Sequence, residues 1–576
     1  MLDVSIVTYN TDPERLRALL ESITEGPTPA SELNILIHDN SRHNIGFGAA
    51  HNANAKLGTA PFFFIVNPDC VLEPGALATL LETARNDEDR VAAWEMRQVP
   101  YEHPKAYDPV TLETCWTSGA ATLYRRRDFD AVGGFDPAIF LYGEDVDLSW
   151  RLRACGSILR YVPKAAVVHD TYEHPGQVKP QQLFGSAYAN LALRTRYGRA
   201  RSIVKGALLW AVEACAVDSF PGRRRGIREA GRRYLRNARH FRATRVKPNA
   251  HFQPIFRGWS YELRRDGPFH AMRSRRGRPA SDFPLVSILV RTTARPAWLR
   301  QALASCAHQT YPNIEVIVVE DGAPASQSTV QEFAALLNVR YLATGVHVGR
   351  ARAGNIAMQQ ARGEWLNFLD DDDLLFADHI EVLADAARSA GALGAYGFAW
   401  QAATRVIDRE RAIYEEVADE PIHRAPFDRG RLWYQNYLPI QSVLFHRSLF
   451  ERHGGFAEDM DQLEDWNLWT RYTLDADFAM VPKTTSKYRV PADKRESKQR
   501  QEKLNAAYAD AVARQRALRS GLTPQRISEI EAGADRARRG GGRLRSIARQ
   551  MVHSSRFLSL LMGWRNEWVR ERRSWR

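Results

Sequence analysis

The chain has 576 residues, too many for one hydrophobic core, so two domains with connecting segments are expected. Hydrophobic residues make up 44 % and charged residues 26 % of it, a globular balance that excludes wholesale disorder. The formal charge of +13, from 80 basic and 67 acidic side chains, calls for an anionic partner, whether a nucleotide, a membrane surface or nucleic acid. The five cysteines are scattered without a C-x-x-C pair, which argues against a zinc site or a disulfide framework and for a reducing compartment.

The first residues read directly as a strand, with no basic and apolar leader, and no secretory signal is expected. Val4–Tyr9 is a short β-type run, Pro13–Ile23 is amphipathic, and Leu33–Ile37 is a second apolar run ending in Asp39-Asn40-Ser41. Phe62–Val66 is an unbroken apolar strand that ends in Asn67-Pro68-Asp69. Strands and helices alternating at this pitch predict an α/β fold with a mostly parallel sheet covered on both faces. Ligands of such sheets bind beyond the carboxyl ends of the strands, where these polar clusters fall.

The pattern restarts at Phe283. Val286–Val290 gives a strand, Pro296–Ala307 a helix, Ile314–Val319 runs into Glu320-Asp321-Gly322, and Trp365–Leu369 into Asp370-Asp371-Asp372-Asp373. Asn52 precedes Asn67 by 15 residues, and Asn355 precedes Asp370 by 15. Gly-Gly-Phe recurs at 133–135 and 454–456, and Glu144-Asp145 with Leu148 and Arg151 recurs as Glu464-Asp465 with Leu468 and Arg471. Four matches in one order make the chain a duplication, with domains expected at 1–205 and 283–490.

Between them, 206–282 reads as a basic helical linker with Arg223-Arg224-Arg225, Arg232-Arg233 and Arg275-Arg276. Its apolar stretch Ala207–Val217 carries Glu213 and is too short to span a bilayer, so the chain is expected on the cytosolic side. Residues 491–576 read as a basic helical extension. From Arg536 to Arg576 there are twelve arginines and two acidic residues. On a helix Leu544, Ile547, Met551, Leu558, Leu561 and Met562 share one face opposite Arg545, Arg549 and Arg556, with Trp564 and Trp568 nearby. This suits a helix lying in an anionic membrane interface, and equally a helix packed on its own domain.

Carboxylates at a strand tip offer oxygen ligands to a hard divalent cation, which can neutralise a departing diphosphate. Asp370-x-Asp372 is the full form of that pattern, and Asn67-x-Asp69 keeps the second carboxylate. Four adjacent aspartates repel one another unless a cation joins them. Glu144-Asp145 and Glu464-Asp465 open helices, where an acid serves either as a cap or as a general base. His169, after the strand-like run from Ala165 to Val168, is read either as structural or as a metal ligand. Gly46-x-Gly48-x-x-His51 lacks the third glycine of a dinucleotide fingerprint, and Gly345–Gly354 lacks a phosphate-loop Lys.

With these residues in view, the chain resembles family-2 glycosyltransferases of the GT-A (Rossmann-like) fold, twice. The first match runs from Val4 to His169 through Thr8-Tyr9-Asn10, Asp39-Asn40-Ser41, Asn67-Pro68-Asp69, Ser118-Gly119, Gly133-Gly134-Phe135-Asp136 and Gly143-Glu144-Asp145. It is similar to the rhamnosyltransferase-like branch; the second, from Pro284 to Tyr488, is similar to a general family-2 domain. The resemblance implies that Asp39 and Asp321 hold the nucleobase, with Thr8, Tyr9, Asn67, Asp370 and Asp371 on the nucleotide sugar. It implies that Asp69, His169, Asp370 and Asp372 bind Mg²⁺ or Mn²⁺. Asp145 and Asp465, beside Glu144 and Glu464, would be the catalytic bases, with Gly119 and Trp466 on the acceptor side. The implied partners are nucleotide-diphosphate sugars and a glycan or polyprenyl-linked acceptor. In the second copy Thr293-Ala294 stands where the family has Tyr-Asn, and Lys487-Tyr488-Arg489 stands where it has the late histidine. The arginine-rich segments match no nucleic-acid-binding module, so nucleic acid is not an expected partner.

Overall fold

The computed structural model describes residues 1–518 other than 27, 104, 170–176, 178, 217–218, 262–264, 268–269, 422–423 and 475. The C-terminal face expected around Leu544–Met562, with Trp564 and Trp568, lies outside the described residues. The chain forms two compact units, the first running from Met1 to Arg276 and the second starting at Gly277.

Among the described residues, the first unit has a seven-stranded sheet. Its strands are β1 (Leu2–Thr8), β2 (Leu33–Asp39), β3 (Phe62–Val66), β4 (Cys70–Leu72), β5 (Val91–Val99), β6 (Ala121–Arg125) and β7 (Ile158–His169), in the order β2-β1-β3-β6-β5-β7-β4. β1 and β3 are buried along their whole length, as expected for apolar strands covered on both faces. β1 runs parallel to β2 and β3, while β6 and β4 are antiparallel insertions. Helices α1 (Pro13–Thr24), α2 (Phe47–Ala55), α3 (Ala76–Asn86), α4 (Arg126–Ala131) and α5 (Glu144–Ala154) connect the strands. Asp12 caps α1 by accepting from the Glu14 amide at 2.9 Å, with Pro13 in the first turn.

The stretch expected as a linker belongs largely to this unit. Helices α6 (Pro180–Tyr197), α7 (Ala200–Cys215) and α8 (Arg223–Ala243) form a core with Trp150 of α5, Phe252 and Phe256. The physical reason is aromatic: Trp150 meets Tyr197, Phe252, Phe256 and Tyr261 at ring-centroid distances of 5.1–5.9 Å. The positive face of α8 drew attention to solvent and hid the apolar stripe of Ile227, Ala230 and Phe241.

The second unit repeats the plan. Its strands are β8 (Val286–Thr292), β9 (Ile314–Glu320), β10 (Val339–Ala343), β11 (Trp365–Asp370), β12 (Leu374–Leu375), β13 (Gly394–Asp408), β14 (Ile413–Pro421), β15 (Val443–His446) and β16 (Phe478–Pro491). The order β10-β9-β8-β11-β15-β13-β16-β12 reproduces that of the first unit, with β10 added at one edge and β14 paired to β13. Around it lie α9 (Pro296–Ala307), α10 (Gln327–Glu332), α11 (Arg350–Gln360), α12 (His379–Ala390), α13 (Arg429–Leu432), α14 (Arg447–His453), α15 (Glu464–Tyr472) and α16 (Lys494–Ala517). The α/β architecture is the one expected from the alternation of elements, but each sheet is mixed and not mostly parallel, because β6 and β4, and β15, β12 and β14, pair antiparallel with their neighbours.

Topology turns the repeated motifs into a mechanical device. Asn52 donates to the Phe135 carbonyl at 2.8 Å and accepts from the Phe135 amide at 2.9 Å. Asn355 makes the same pair with Phe456, at 3.1 and 2.7 Å. From the other side Arg151 donates to the carbonyls of Val132 and Gly134, both at 2.6 Å, and Arg471 to those of His453 and Gly455. A side chain at Gly134 would lie 2.4 Å from the Asn52 amide oxygen, and one at Gly455 only 2.1 Å from that of Asn355. The Gly-Gly-Phe turn is thus pinned to α2 and α5 in one unit and to α11 and α15 in the other. Replacing Asn52 with Ala removes both hydrogen bonds of one clamp and is expected to cost about 2 kcal/mol, read as an earlier denaturant midpoint for the first unit. Asn355→Ala should shift the second unit's transition by a similar amount.

Candidate active sites

In the first unit, a cleft of about 1290 Å³ opens beyond the carboxyl ends of β1 and β3. Tyr9, Asn67, Asp69, Gly119, Glu144, Asp145 and His169 all line it. Tyr9 is 54 % exposed, which leaves its ring free to stack on a planar ligand. Thr8 and Asp39 stand just behind that wall, the Thr8 hydroxyl 3.5 Å from Asp39 Oδ1. Hydrogen bonds from Ser41 hold the Asp39 carboxyl below its usual range.

Asp145 lies in the first turn of α5. Its Oδ2 accepts from the Gly119 amide at 3.2 Å and its Oδ1 from the Val146 amide at 2.8 Å. Burial raises its pKa above that of a free carboxyl. Its neighbour Glu144 is pushed well above the usual range by burial and by the charge of Asp145. Among the described residues, one Glu144 oxygen has no hydrogen-bond partner. Two buried carboxyls side by side do not both ionise readily, and the Gly119 and Val146 amides favour the charge on Asp145. Helix α5 is fixed at Asp147, which accepts from Arg151 at 2.9 Å, Arg196 at 2.5 Å and Tyr197 at 2.9 Å. Gly143 enters the helix at φ +91°, and Ala189 of α6 lies 2.5 Å from where its side chain would begin.

Asp69 and His169 meet across the β4–β7 pairing, Oδ1 to Nε2 at 3.4 Å. With Cys70 they form a group of possible metal donors within 4.8 Å of one another. Against the upward push of burial, His169 holds Asp69 below its usual pKa. The Gln98 side-chain oxygen lies 2.9 Å from His169 Nδ1, and when Nδ1 donates to it the Nε2 lone pair faces Asp69. An ionised carboxylate with an oriented imidazole fits a divalent cation, Mn²⁺ better than Mg²⁺ because of the nitrogen donor.

Residues absent from the sequence expectation close this cleft. Lys179, Gln181, Arg233, Trp259 and Tyr261 line it from α6, α8 and the chain that follows. Arg233 rests its guanidinium 4.2 Å from the Tyr188 ring centre, and its Nε has no partner. Arg233, Trp259 and Tyr261 lie in the stretch expected as a linker, whereas Lys179 and Gln181 lie within the expected first domain. Beneath the floor, Lys105 pairs with buried Glu95, whose other oxygen accepts from the Ser118 amide at 3.1 Å.

The second unit assembles the same positions with different chemistry. Asp465 accepts from the Asn436 side chain at 3.0 Å and the Trp466 amide at 2.7 Å, so an asparagine replaces the Gly119 amide. Burial and Glu464 raise its pKa. Three of the four carboxylates of the acidic run, however, already pair with arginine. Arg291 donates to both oxygens of Asp370, at 2.7 and 3.0 Å, and to Glu464 at 3.2 Å. Arg295 donates to both oxygens of Asp371 and, at 3.1 Å, to Asp372. Against burial, Arg291 keeps Asp370 below its usual pKa. The strand registers place Arg291 where the first unit has Val7.

Other expectations for this unit change too. Asp321 accepts from the Val348 and Gly349 amides at 2.6 and 3.1 Å, so both of its oxygens hold a loop of its own chain. Trp466 does not face an acceptor: it is 1 % exposed, donates to the Leu432 carbonyl and stacks on Tyr508 of α16. Its helical neighbours Leu468 and Trp469 share the same core, which is why position 466 turns inward. Tyr488 takes the place of His169, and its hydroxyl donates to Gln401 at 2.8 Å as His169 meets Gln98.

Residues 287–451 match the model of the family Glycosyl transferase family 2. Among curated proteins, an N-acetylglucosaminyl-diphospho-decaprenol L-rhamnosyltransferase of Mycobacterium tuberculosis is 29 % identical over a match covering 31 % of this chain and 78 % of that protein. An uncharacterized glycosyltransferase of Haemophilus influenzae is 31 % identical, with 17 % of this chain and 41 % of that protein covered. The putative glycosyltransferase EpsH of Bacillus subtilis is 29 % identical, with 30 % of this chain and 49 % of that protein covered. The chain thus spans less than half the length of the last two. A crystal structure of S. aureus TarS 1–349 superposes with a TM-score of 0.33 at 17 % identity, covering 42 % of this chain and 68 % of that one. The matched segment and the relatives' names together support a hexosyltransferase.

A base works only when deprotonated, so raised carboxyl pKa values predict where activity fails in acid. The acid limb of kcat/KM is expected well above the free-carboxylate value of about 4, with rate lost as pH falls through it. A pH–rate profile with no acid limb above about 5 would contradict the raised Asp145 and Asp465.

Proposed function

We propose that the chain is a bifunctional inverting glycosyltransferase of the GT-A type, moving two sugars from nucleotide-diphosphate donors onto a surface polysaccharide or polyprenyl-linked glycan. The observation that carries this reading is Asp145, a raised-pKa carboxylate held by the Gly119 amide in the wall of a cleft that also presents Tyr9, Asp69 and His169. In each unit the acceptor hydroxyl gives its proton to the aspartate, Asp145 or Asp465. Its oxygen bonds to the anomeric carbon as the bond from that carbon to the diphosphate breaks, with inversion. Asp69 and His169 would hold the divalent cation of the first unit, and when bound it supplies positive charge to the leaving diphosphate. Tyr9 stacks on the nucleobase, with Asp39 behind it.

The mycobacterial relative's name motivates a deoxythymidine-diphosphate rhamnose or a uridine-diphosphate sugar as the first donor, and a lipid-diphosphate acceptor. No helix among the described residues is long and apolar enough to cross a membrane. A lipid-linked acceptor would be reached from the cytoplasmic face, with the basic C-terminal segment on anionic lipid. A second reading keeps one active unit and an acceptor-binding partner, and the Arg291 pairing with Glu464 favours it.

The test separates the units. Asp145→Asn and Asp465→Asn are assayed with a panel of nucleotide sugars, and each is expected to lose a different sugar addition by about 10³-fold or more. Loss in Asp145→Asn alone would leave one active unit. Transfer surviving in both would overturn the assignment of the bases.

A further inference from the structure

The acidic run of the second unit does not fit a divalent cation. Both oxygens of Asp370 are committed to Arg291 and both of Asp371 to Arg295, which reaches Asp372 as well. The place of His169 is taken by Tyr488, a half-buried phenol whose pKa is pushed up to about 12 and which is a poor ligand when neutral. Among the described residues, the donors that gather as a metal group are Asp69, Cys70 and His169, and none comes from the second unit. For Asp370, Asp371 and Asp372 the counter-charge comes from the chain itself. Arg291 is 6 % exposed and held between Asp370 and Glu464, whereas Arg295 is 36 % exposed. A guanidinium presents a fixed fork of donors that suits phosphate as well as carboxylate.

We propose that the second site works without a divalent cation: Arg291 is its fixed counter-charge, and Arg295 meets the diphosphate of an incoming nucleotide. This rests on the reading of the second unit as a donor site. The two units would then differ in how they handle the leaving group, by a metal in one and by an arginine in the other. The difference involves Arg291 on the strand, where the first unit has Val7, Arg295 in the turn beyond it, and Tyr488 in the place of His169.

The experiment is calorimetry on the full chain carrying Asp69→Ala and His169→Ala, titrated with UDP, dTDP, GDP, CDP and ADP, in EDTA and in Mn²⁺. One of these is expected to bind with the same affinity, within about twofold, in both solutions. Adding Arg295→Thr should weaken that binding about tenfold or more, and Arg295→Lys, which keeps the charge, should restore part of it. Binding that appears only with Mn²⁺ and vanishes in Asp372→Ala would overturn the inference while leaving the donor-site reading intact. Binding unaffected by Arg295→Thr would also overturn it. Failure of all five nucleotides in both solutions would overturn the donor-site reading of the second unit, and the inference with it.

Discussion

A carboxylate buried at the end of a strand must find a positive partner or give up its charge. This chain sets that problem twice, at Asp69 and at Asp370–Asp373, and each solution shapes its unit. In the first, Asp69 stays ionised beside His169, and the strand before it ends in neutral Asn67, so the demand for counter-charge is small. In the second, the demand is larger, and Arg291 and Arg295 meet it from the end of the neighbouring strand and the turn beyond. The same guanidinium that balances Asp370 also reaches Glu464, whereas in the first unit burial and the charge of Asp145 raise the pKa of Glu144. One residue on a central strand therefore pairs with two acidic groups at once.

The scaffold under both sites is shared. Asn52 and Arg151, like Asn355 and Arg471, hold the Gly-Gly-Phe turn by backbone hydrogen bonds. The turn and the acidic helix are fixed as one piece, so the aspartate in that helix keeps its place while the ligands facing it diverge. Much of what recurs between the halves is this clamp. It preserves geometry, and it leaves the chemistry open.

The alternation of apolar runs and amphipathic segments made the two sheets legible from the sequence, and the 15-residue spacing from Asn52 to Asn67 and Asn355 to Asp370 located both strand tips. The first cleft was readable because its groups, Tyr9, Asp69, Asp145 and His169, sit at strand ends and helix starts. Three things were hidden, each for a physical reason. Residues 206–276 looked like a spacer because arginine dominates their composition, yet Ile227, Ala230, Phe241, Phe252 and Phe256 form an apolar seam against Trp150. Trp466 follows an acidic pair that faces the cleft, but helical rotation turns it into the core. The role of Arg291 required knowing which strands are neighbours, although a charge closing an apolar strand was a visible signal.

On the proposal above, the two sites use different counter-charges. Crystals soaked in Mn²⁺ with a nucleoside diphosphate, with diffraction collected at the manganese absorption edge, would locate any bound ion. One anomalous peak is expected, between Asp69 and His169, and none beside Asp372. A peak of equal strength at Asp372, with Arg295 swung away, would contradict it.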